Sequence, residues 1–405
     1  ADQQADIYVV NSCAVTSKAA YQSRQAISRI SSRTKGASIV ATGCHVQTEP
    51  EKLLASVKKT ALLVDNVNKD RIVDIALAWQ TGQTGCFCSP IKELPVLKPF
   101  LIQKPHARTR AYIRVQDGCE AFCSYCIVPF ARGRSRSLPL AYVREQVERF
   151  AAHGIKEVVI TGIHVGFYGA DLTPQTNLLA LISFLCQAFP DIRFRLSSIE
   201  PNEVTDELLD FASATPNFCP HWHIPMQSGS DVILHLMKRR YSSGFYEHLL
   251  WKIHSYMPRA CIGADVLVGF PGENETEFQK TLELLKRLPV SYIHAFPFSA
   301  RPMTEAFSMK NQIDGNIRAS RVRLLRDLSE EKRHAFIVQQ LGDIVTCLVE
   351  KRILSDNKDK CLWYGHSENY IPIELSADYN AELSNKAVAV RLEDIKAGMA
   401  VGTFR

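Results

Sequence analysis

The sequence predicts an α/β protein in three parts: an N-terminal open parallel α/β sheet domain, a partial (β/α)6 barrel, and a C-terminal small β-barrel. Three observations carry this. From Ile7 to about Gln80, short apolar runs alternate with helical stretches. From Ala111 to about Lys310 the same alternation continues through six strand–helix units. From Gly342 onward, short strands follow one another at regular spacing with no helical pattern between them.

Taken in order, the first part offers strands at Ile7-Tyr8-Val9-Val10, Ser38-Ile39-Val40-Ala41 and Ala61-Leu62-Leu63-Val64, with a helix from Ser17 to Ser32 and another ending near Trp79. Cys13 and Cys44 each fall just after one of these strands. Both sulfurs should therefore lie on the carboxyl edge of one sheet, where open α/β sheets place their ligands. Thr81 to His106 is rich in glycine and proline and reads as a linker. The middle part offers strands at 112–115, 157–161, 193–197, 221–224, 261–268 and 292–296, and a basic helix over about 316–340 leads out of it. The tail offers strands at 343–350, 361–364, 370–373 and 387–390. The expected domains are thus 1–85, a linker over 86–106, 107–340 and 341–405.

Composition narrows the class. The 405 residues allow two or three domains, and 46% hydrophobic with 22% charged residues is ordinary for a soluble globular chain. No run approaches the roughly 18 consecutive apolar residues of a membrane span, and no lipidation signal is present. Twelve cysteines, clustered and without a secretory leader, predict metal binding in a reducing compartment, the cytoplasm, rather than disulfides. A net charge of +6 permits a polyanionic partner without demanding one.

The most specific signal is Gly118-Cys119-Glu120-Ala121-Phe122-Cys123-Ser124-Tyr125-Cys126. C-x3-C-x2-C gives a four-iron cluster three thiolates and leaves one iron without a protein ligand, open to chemistry. A structural zinc knuckle would need a fourth ligand close by, and the next cysteine is Cys186. This loop resembles the signature of the radical S-adenosylmethionine (SAM) enzymes, in which the free iron binds SAM. Tyr125 suits that resemblance as an aromatic face against adenine.

The whole chain resembles the methylthiotransferase branch of that superfamily, in the order cluster domain, radical SAM barrel, TRAM domain. The segments that carry the resemblance are Ala5 to Thr16, Thr42-Gly43-Cys44, the cysteine loop through Arg132-Gly133, Arg195 to Pro201, Pro225 to Ser230, and Gly263 to Glu273. Within the branch, Ala111 to Gly118 and Thr161 to Gly169 look most like the subgroup acting on threonylcarbamoyladenosine beside the anticodon of tRNA. The Gly162-Ile163-His164 run differs from the glycine–glutamine start expected in the isopentenyladenosine-directed and ribosomal-protein-directed relatives.

The resemblance implies radical methylthiolation at C2 of that nucleoside, a carbon whose hydrogen is not acidic and calls for a hydrogen-atom abstractor. It implies two 4Fe–4S clusters: one on Cys119, Cys123 and Cys126 that reduces SAM, and an auxiliary one holding the sulfur to be donated. The family gives the auxiliary cluster three cysteines, of which Cys13 and Cys44 match here. The first would follow a strand upstream of Ala1, so the N-terminal domain is expected to lack its first strand and helix. Cys86 or Cys88 is the rival third ligand.

Other SAM-site candidates are Glu200, Gln227 and Asp265, each of which follows or ends an apolar run, and Gly263, which would permit close backbone approach to a ligand. Arg132, Arg134, Arg136, Lys238, Arg239 and Arg240 are candidates to neutralise phosphates, and Tyr364 and Tyr370 to stack on bases. His164, His221, His223 and His294 read as packing or substrate contacts rather than metal ligands. The expected partners are tRNA and an electron donor such as flavodoxin or ferredoxin, with the chain a monomer. Competing readings keep the chemistry on isopentenyladenosine or a ribosomal-protein aspartate, or make the chain a non-catalytic iron–sulfur RNA-binding protein.

Overall fold

The computed structural model describes residues 5–33, 37–56, 61–79, 85–94, 96–103, 109–353 and 360–405. The chain forms two compact units. The first comprises Ala1–Lys98, Asp117–Arg136 and Ser299–Lys310; the second comprises Pro99–Gln116, Ser137–Phe298 and Asn311–Arg405.

In the first unit, β1 (Ile7–Ser12), β2 (Ser38–Gly43), β3 (Ala61–Val64) and β4 (Gly85–Phe87) form one parallel sheet in that order. All residues of β2 and β3 are buried, which is why both read as unbroken apolar runs rather than as alternations. Ile39 and Ala41 pack with Ile27, Val46 and Leu53 on one face, while Val40 packs with Leu62, Val64 and Ile75 on the other. Each aliphatic side chain buried in this way contributes roughly 1.5–3 kcal/mol. β4 lies where a linker was expected. It is three residues long and largely exposed, so it left no apolar signature. The strands end nearly flush, with Ser12 opposite Gly43, Thr42 opposite Val64, and Val64 opposite Phe87.

The second unit carries six parallel strands: β5 (Arg110–Arg114), β6 (Glu157–Thr161), β7 (Arg193–Leu196), β8 (His221–His223), β9 (Cys261–Val268) and β10 (Tyr292–Pro297). They pair as β5-β6-β7 and β8-β9-β10. A bridge between Phe194 and Phe218, with Ile199 N–H donating to the His223 carbonyl at 3.0 Å, joins the two triplets. Helices cover this sheet, and their starts are written in the sequence. Asn177, Thr205, Ser242 and Asn274 each accept the backbone N–H three residues on. The basic helix spans Gly315–Val338.

The tail is a closed five-stranded barrel of β11 (Ile344–Ile353), β12 (Lys360–His366), β13 (Pro372–Asp378), β14 (Ala387–Lys396) and β15 (Met399–Phe404), in the order β11-β12-β13-β15-β14. The strand expected at 370–373 starts at Pro372, because Tyr370 closes a turn with φ +68°. β15 was not expected. Its hairpin turns on Ala397 and Gly398, both at positive φ, without the Asn-Gly pair that usually announces such a turn.

Candidate cluster and cofactor site

The first unit holds both cysteine groups. Cys13 follows β1 directly and is half-buried, while Cys44 follows β2 and is buried. Gly43 makes this exit possible. Its φ is +101°, and a Cβ there would stand 2.4 Å from the Ser12 carbonyl oxygen. Cys119, Cys123 and Cys126 are half-buried on their loop, and none of the twelve cysteines is in a disulfide. The loop closes on itself: Cys119 N–H donates to the Gly133 carbonyl at 2.9 Å, and Cys126 N–H to the Cys123 carbonyl at 2.9 Å. A side chain at Gly118, whose φ is +81°, would collide with the Arg134 carbonyl at 1.8 Å. Phe122, between the first two cysteines, sits at φ +46° with its ring edge-on to Phe130. Tyr125 is half-buried.

Nitrogen donors point at several of these sulfurs. Val15 N–H lies 3.5 Å from Cys13 Sγ, and Ala121 N–H lies 3.4 Å from Cys119 Sγ. Cys44 Sγ accepts from Arg132 Nε at 3.2 Å and from Asn66 Nδ2 at 3.8 Å. Thiol groups outside any disulfide, with N–H groups aimed at sulfur, suit iron–sulfur ligation, because such hydrogen bonds tune and stabilise a cluster. The three thiols of the loop fit a cluster with one open iron, whereas Cys13 and Cys44 supply two of the three thiolates expected for an auxiliary cluster.

The arginines after the loop divide. Arg134 is exposed. Arg136 is 3% exposed and spends its guanidinium on the carbonyls of Arg132 and Arg134, at 2.7 and 3.1 Å, so it is not available to a phosphate. Arg132 pairs with Asp117 at 3.3 Å as well as with Cys44. Burial alone would favour loss of its proton, but Asp117 and Cys44 outweigh that and hold it charged. Sequence reasoning missed two further residues here. Asn66 donates to the Ala131 carbonyl at 2.7 Å, and buried Arg301 pairs with Glu49 at 2.5 Å. Both contacts bridge distant segments, and no local pattern announces them.

The second unit carries the remaining cofactor candidates. Glu200 and Gln227 follow β7 and β8, as expected, and Gln227 has φ +62°. Gly263 and Asp265 lie in the middle of β9 rather than at its end. A Cβ at Gly263 would stand 2.2 Å from Tyr292 Cζ, so the glycine makes room for that ring. The Tyr292 hydroxyl meets His221 Nε2 at 2.9 Å and His223 Nδ1 at 3.0 Å. Gly263→Val is accordingly expected to destabilise the protein by about 1–3 kcal/mol through overpacking, read as a lower midpoint of denaturant unfolding. Asp265 lies 2.9 Å from His223 Nε2 and 3.5 Å from His294 Nδ1. Burial opposes its charge, but both histidines outweigh that and bring its pKa down to about 2. The ligand atoms of His223, Asp265 and His294 lie within 4.8 Å of one another, while His164 pairs with Glu203.

Two RNA candidates of this unit change character. Arg239, whose side chain is 6% exposed, forms an ion pair with Glu200 and is therefore a brace for that carboxylate. Lys238 and Arg240 are exposed. Tyr370 is held against protein, stacked on His366 at 5.1 Å with the Arg195 guanidinium 4.9 Å from its ring, so it has no face free for a base. Tyr364 is half-buried, bonded to His366 Nε2 at 2.9 Å, with Lys351 5.1 Å from its ring.

Residues 113–285 match the Radical SAM superfamily, and residues 1–65 match the Uncharacterized protein family UPF0004. The chain is 37% identical over 359 residues to the Threonylcarbamoyladenosine tRNA methylthiotransferase MtaB of Aquifex aeolicus (strain VF5), covering 88% of this chain and 87% of that protein. It is 32% identical over 399 residues to the protein of the same name from Bacillus subtilis (strain 168), covering 98% and 87%. Among solved structures, the radical S-adenosylmethionine methyltransferase TsrM from Kitasatospora setae superposes with a TM-score of 0.58 at 17% identity, over 76% of this chain and 65% of that one, a likeness of fold. The protein is thus a transferase whose cofactors are SAM and iron–sulfur clusters. With the cysteine loop, the sheet edge and relatives matched over nearly its whole length, the chain belongs to the radical SAM methylthiotransferase family.

Proposed function

We propose that the protein transfers a methylthio group to C2 of threonylcarbamoyladenosine beside the anticodon of tRNA. The observation that carries this reading is the gathering of both cysteine groups in one compact unit, tied by the bonds from Arg132 to Cys44 and from Asn66 to Ala131. Methylthio transfer needs two sites, one that activates SAM and one that holds sulfur. The acceptor is taken from the activity named for the relatives above.

In this reading Cys119, Cys123 and Cys126 hold the SAM cluster, and Cys13 and Cys44 hold the auxiliary one. When bound, the SAM cluster supplies the electron that cleaves its cofactor. Tyr125 is the first unit's candidate for contact with SAM, and Glu200, Gln227 and Asp265 are the second unit's. Arg239 fixes the Glu200 carboxylate, and His223 and His294 keep Asp265 ionised. Arg134, Lys238 and Arg240 neutralise tRNA phosphates, and Tyr364 offers part of its ring to RNA. A flavodoxin or ferredoxin supplies electrons to a monomer in the cytoplasm.

The test is anaerobic incubation with SAM, a strong reductant and tRNA, with nucleosides read by mass spectrometry. A methylthio gain on threonylcarbamoyladenosine is expected. A gain only on isopentenyladenosine or on a ribosomal protein presented in parallel would refute the acceptor while keeping the chemistry. RNA binding without any SAM cleavage would refute the enzyme.

A further inference from the structure

We infer that His223, Asp265 and His294, on three adjacent strands of the second unit, form a site for a first-row divalent cation such as Zn2+ or Fe2+, with no cysteine among its ligands. The site does not rest on the tRNA reading above, and it adds a metal that the iron–sulfur chemistry does not call for.

Register brings the three side chains together. Asp265 of β9 stands directly opposite His294 of β10, and His223 of β8 stands opposite Gly263, two residues earlier in β9. All three lie on one face of the sheet, since Trp222, Ala264 and Ile293 alternate with them and are buried on the other. His223 Nε2 lies 2.9 Å and His294 Nδ1 3.5 Å from Asp265 Oδ1, and one ligand atom from each residue lies within 4.8 Å of the others. An ion about 2.1 Å from its donors sets neighbouring donors roughly 3.0–3.4 Å apart, octahedral or tetrahedral, so small displacements admit it. Sequence reading took these histidines for packing or substrate contacts, because no spacing links residues on three strands.

Charge and tautomer suit a cation. Among the described residues Asp265 pairs with these two histidines and with no lysine or arginine, unlike Glu200, which Arg239 holds. Two imidazoles with one carboxylate favour Zn2+ or Fe2+ over Mg2+ or Ca2+, which take oxygen ligands. Burial, and then Arg195, keep His221 neutral. In the tautomer a metal requires, His221 Nε2 accepts the Tyr292 proton at 2.9 Å while the Tyr292 oxygen accepts from His223 Nδ1–H at 3.0 Å. His223 Nε2 then presents its lone pair to the ion. Gly263 allows this, because the Tyr292 ring lies where its Cβ would stand. Three protein ligands leave the ion an open position. The His294 side chain is 51% exposed, so that position is reachable, and an oxygen ligand meets Asp265 through the ion.

The test is equilibrium dialysis of the anaerobically reconstituted chain against Zn2+, with zinc and iron counted in the same samples by mass spectrometry. Wild type and variants carry the same cysteines, so the difference between them reports this site. The wild type should hold one zinc ion more per chain than His294→Ala, whose exposed side chain can be removed without touching the core. His294→Ala and Asp265→Asn should each weaken that ion by more than about a hundredfold in Kd, and Tyr292→Phe by about tenfold through its lost hold on His223. Equal zinc in the wild type and His294→Ala overturns the inference, as does unchanged affinity in Asp265→Asn with the fold intact by circular dichroism. If Asp265→Asn misfolds, His294→Ala decides alone. Iron absent from the wild type and variants alike would refute the cluster reading and leave this site standing.

Discussion

Cys123→Ala is expected to abolish SAM cleavage, with deoxyadenosine release falling below detection and the iron of one cluster lost. A four-iron cluster with one open iron depends on all three thiolates, and two leave it exposed to loss. The fold should survive. Cys123 is half-buried and outside the apolar cores, and the loop's own bonds from Cys119 to Gly133 and from Cys126 to Cys123 use backbone atoms. Binding of tRNA should change little, because exposed Arg134, Lys238 and Arg240 are untouched. Iron analysis, deoxyadenosine chromatography and a filter-binding assay on one preparation check the three parts. Retained SAM cleavage would remove these cysteines from the chemistry.

The corresponding change at the auxiliary site separates the two halves of the proposal. Cys44→Ala should leave SAM cleavage present while the methylthio product disappears. Cys44 lies on a sheet edge and contributes no ligand to the loop, although Arg132 loses its sulfur partner. Joint loss of both activities, with the iron of the SAM cluster intact, would show that the two sites do not act separately.

What could be read from the chain follows a physical division. Strands such as 38–43 and 61–64 were legible because burial on both faces demands a continuous apolar run, and a run of that length bounded by polar residues has few alternatives. The placement of Cys13 and Cys44 just after strands was legible too, since a strand end fixes an edge. The fates of Arg132 and Arg136 were not. Both sit in a run of alternating arginines that looks like a solvated phosphate-binding face, and only the fold reveals that one is turned to the Cys44 sulfur and the other to carbonyls. Gly263 was legible as a close approach, but what approaches it, the Tyr292 ring, comes from the next strand. Tyr370 was misread because an aromatic residue in a β-barrel says nothing of which surface it meets.

Glu157 belongs to the same class of residue that sequence does not explain, and it carries the largest stability prediction. It opens β6, is fully buried, and is met by Arg195 at 2.9 and 3.2 Å, by Arg193 at 2.5 Å and by Arg110 at 4.0 Å. The same arginines hold the tail barrel: Arg193 donates to the carbonyls of Thr346 and His366, and Arg195 to those of Ser367 and Glu368. Glu157→Gln leaves buried guanidinium groups facing a neutral amide, which typically costs about 3–5 kcal/mol. The pH dependence gives an independent check. Burial opposes the carboxylate charge, but Arg195 and Arg193 outweigh it and bring the pKa from 4.5 to about 2. A folded-state pKa below the unfolded one contributes stability that is complete above the unfolded value and is lost as pH falls from there toward the folded one. That loss amounts to about 3 kcal/mol over the window. Denaturant unfolding of the wild type should therefore weaken steeply as pH falls from about 5 toward 3, while Glu157→Gln, already less stable at neutral pH, should follow a flatter curve. Parallel curves for the two proteins would mean that the carboxylate is not what the three arginines hold, and that the tail barrel docks by apolar contact alone.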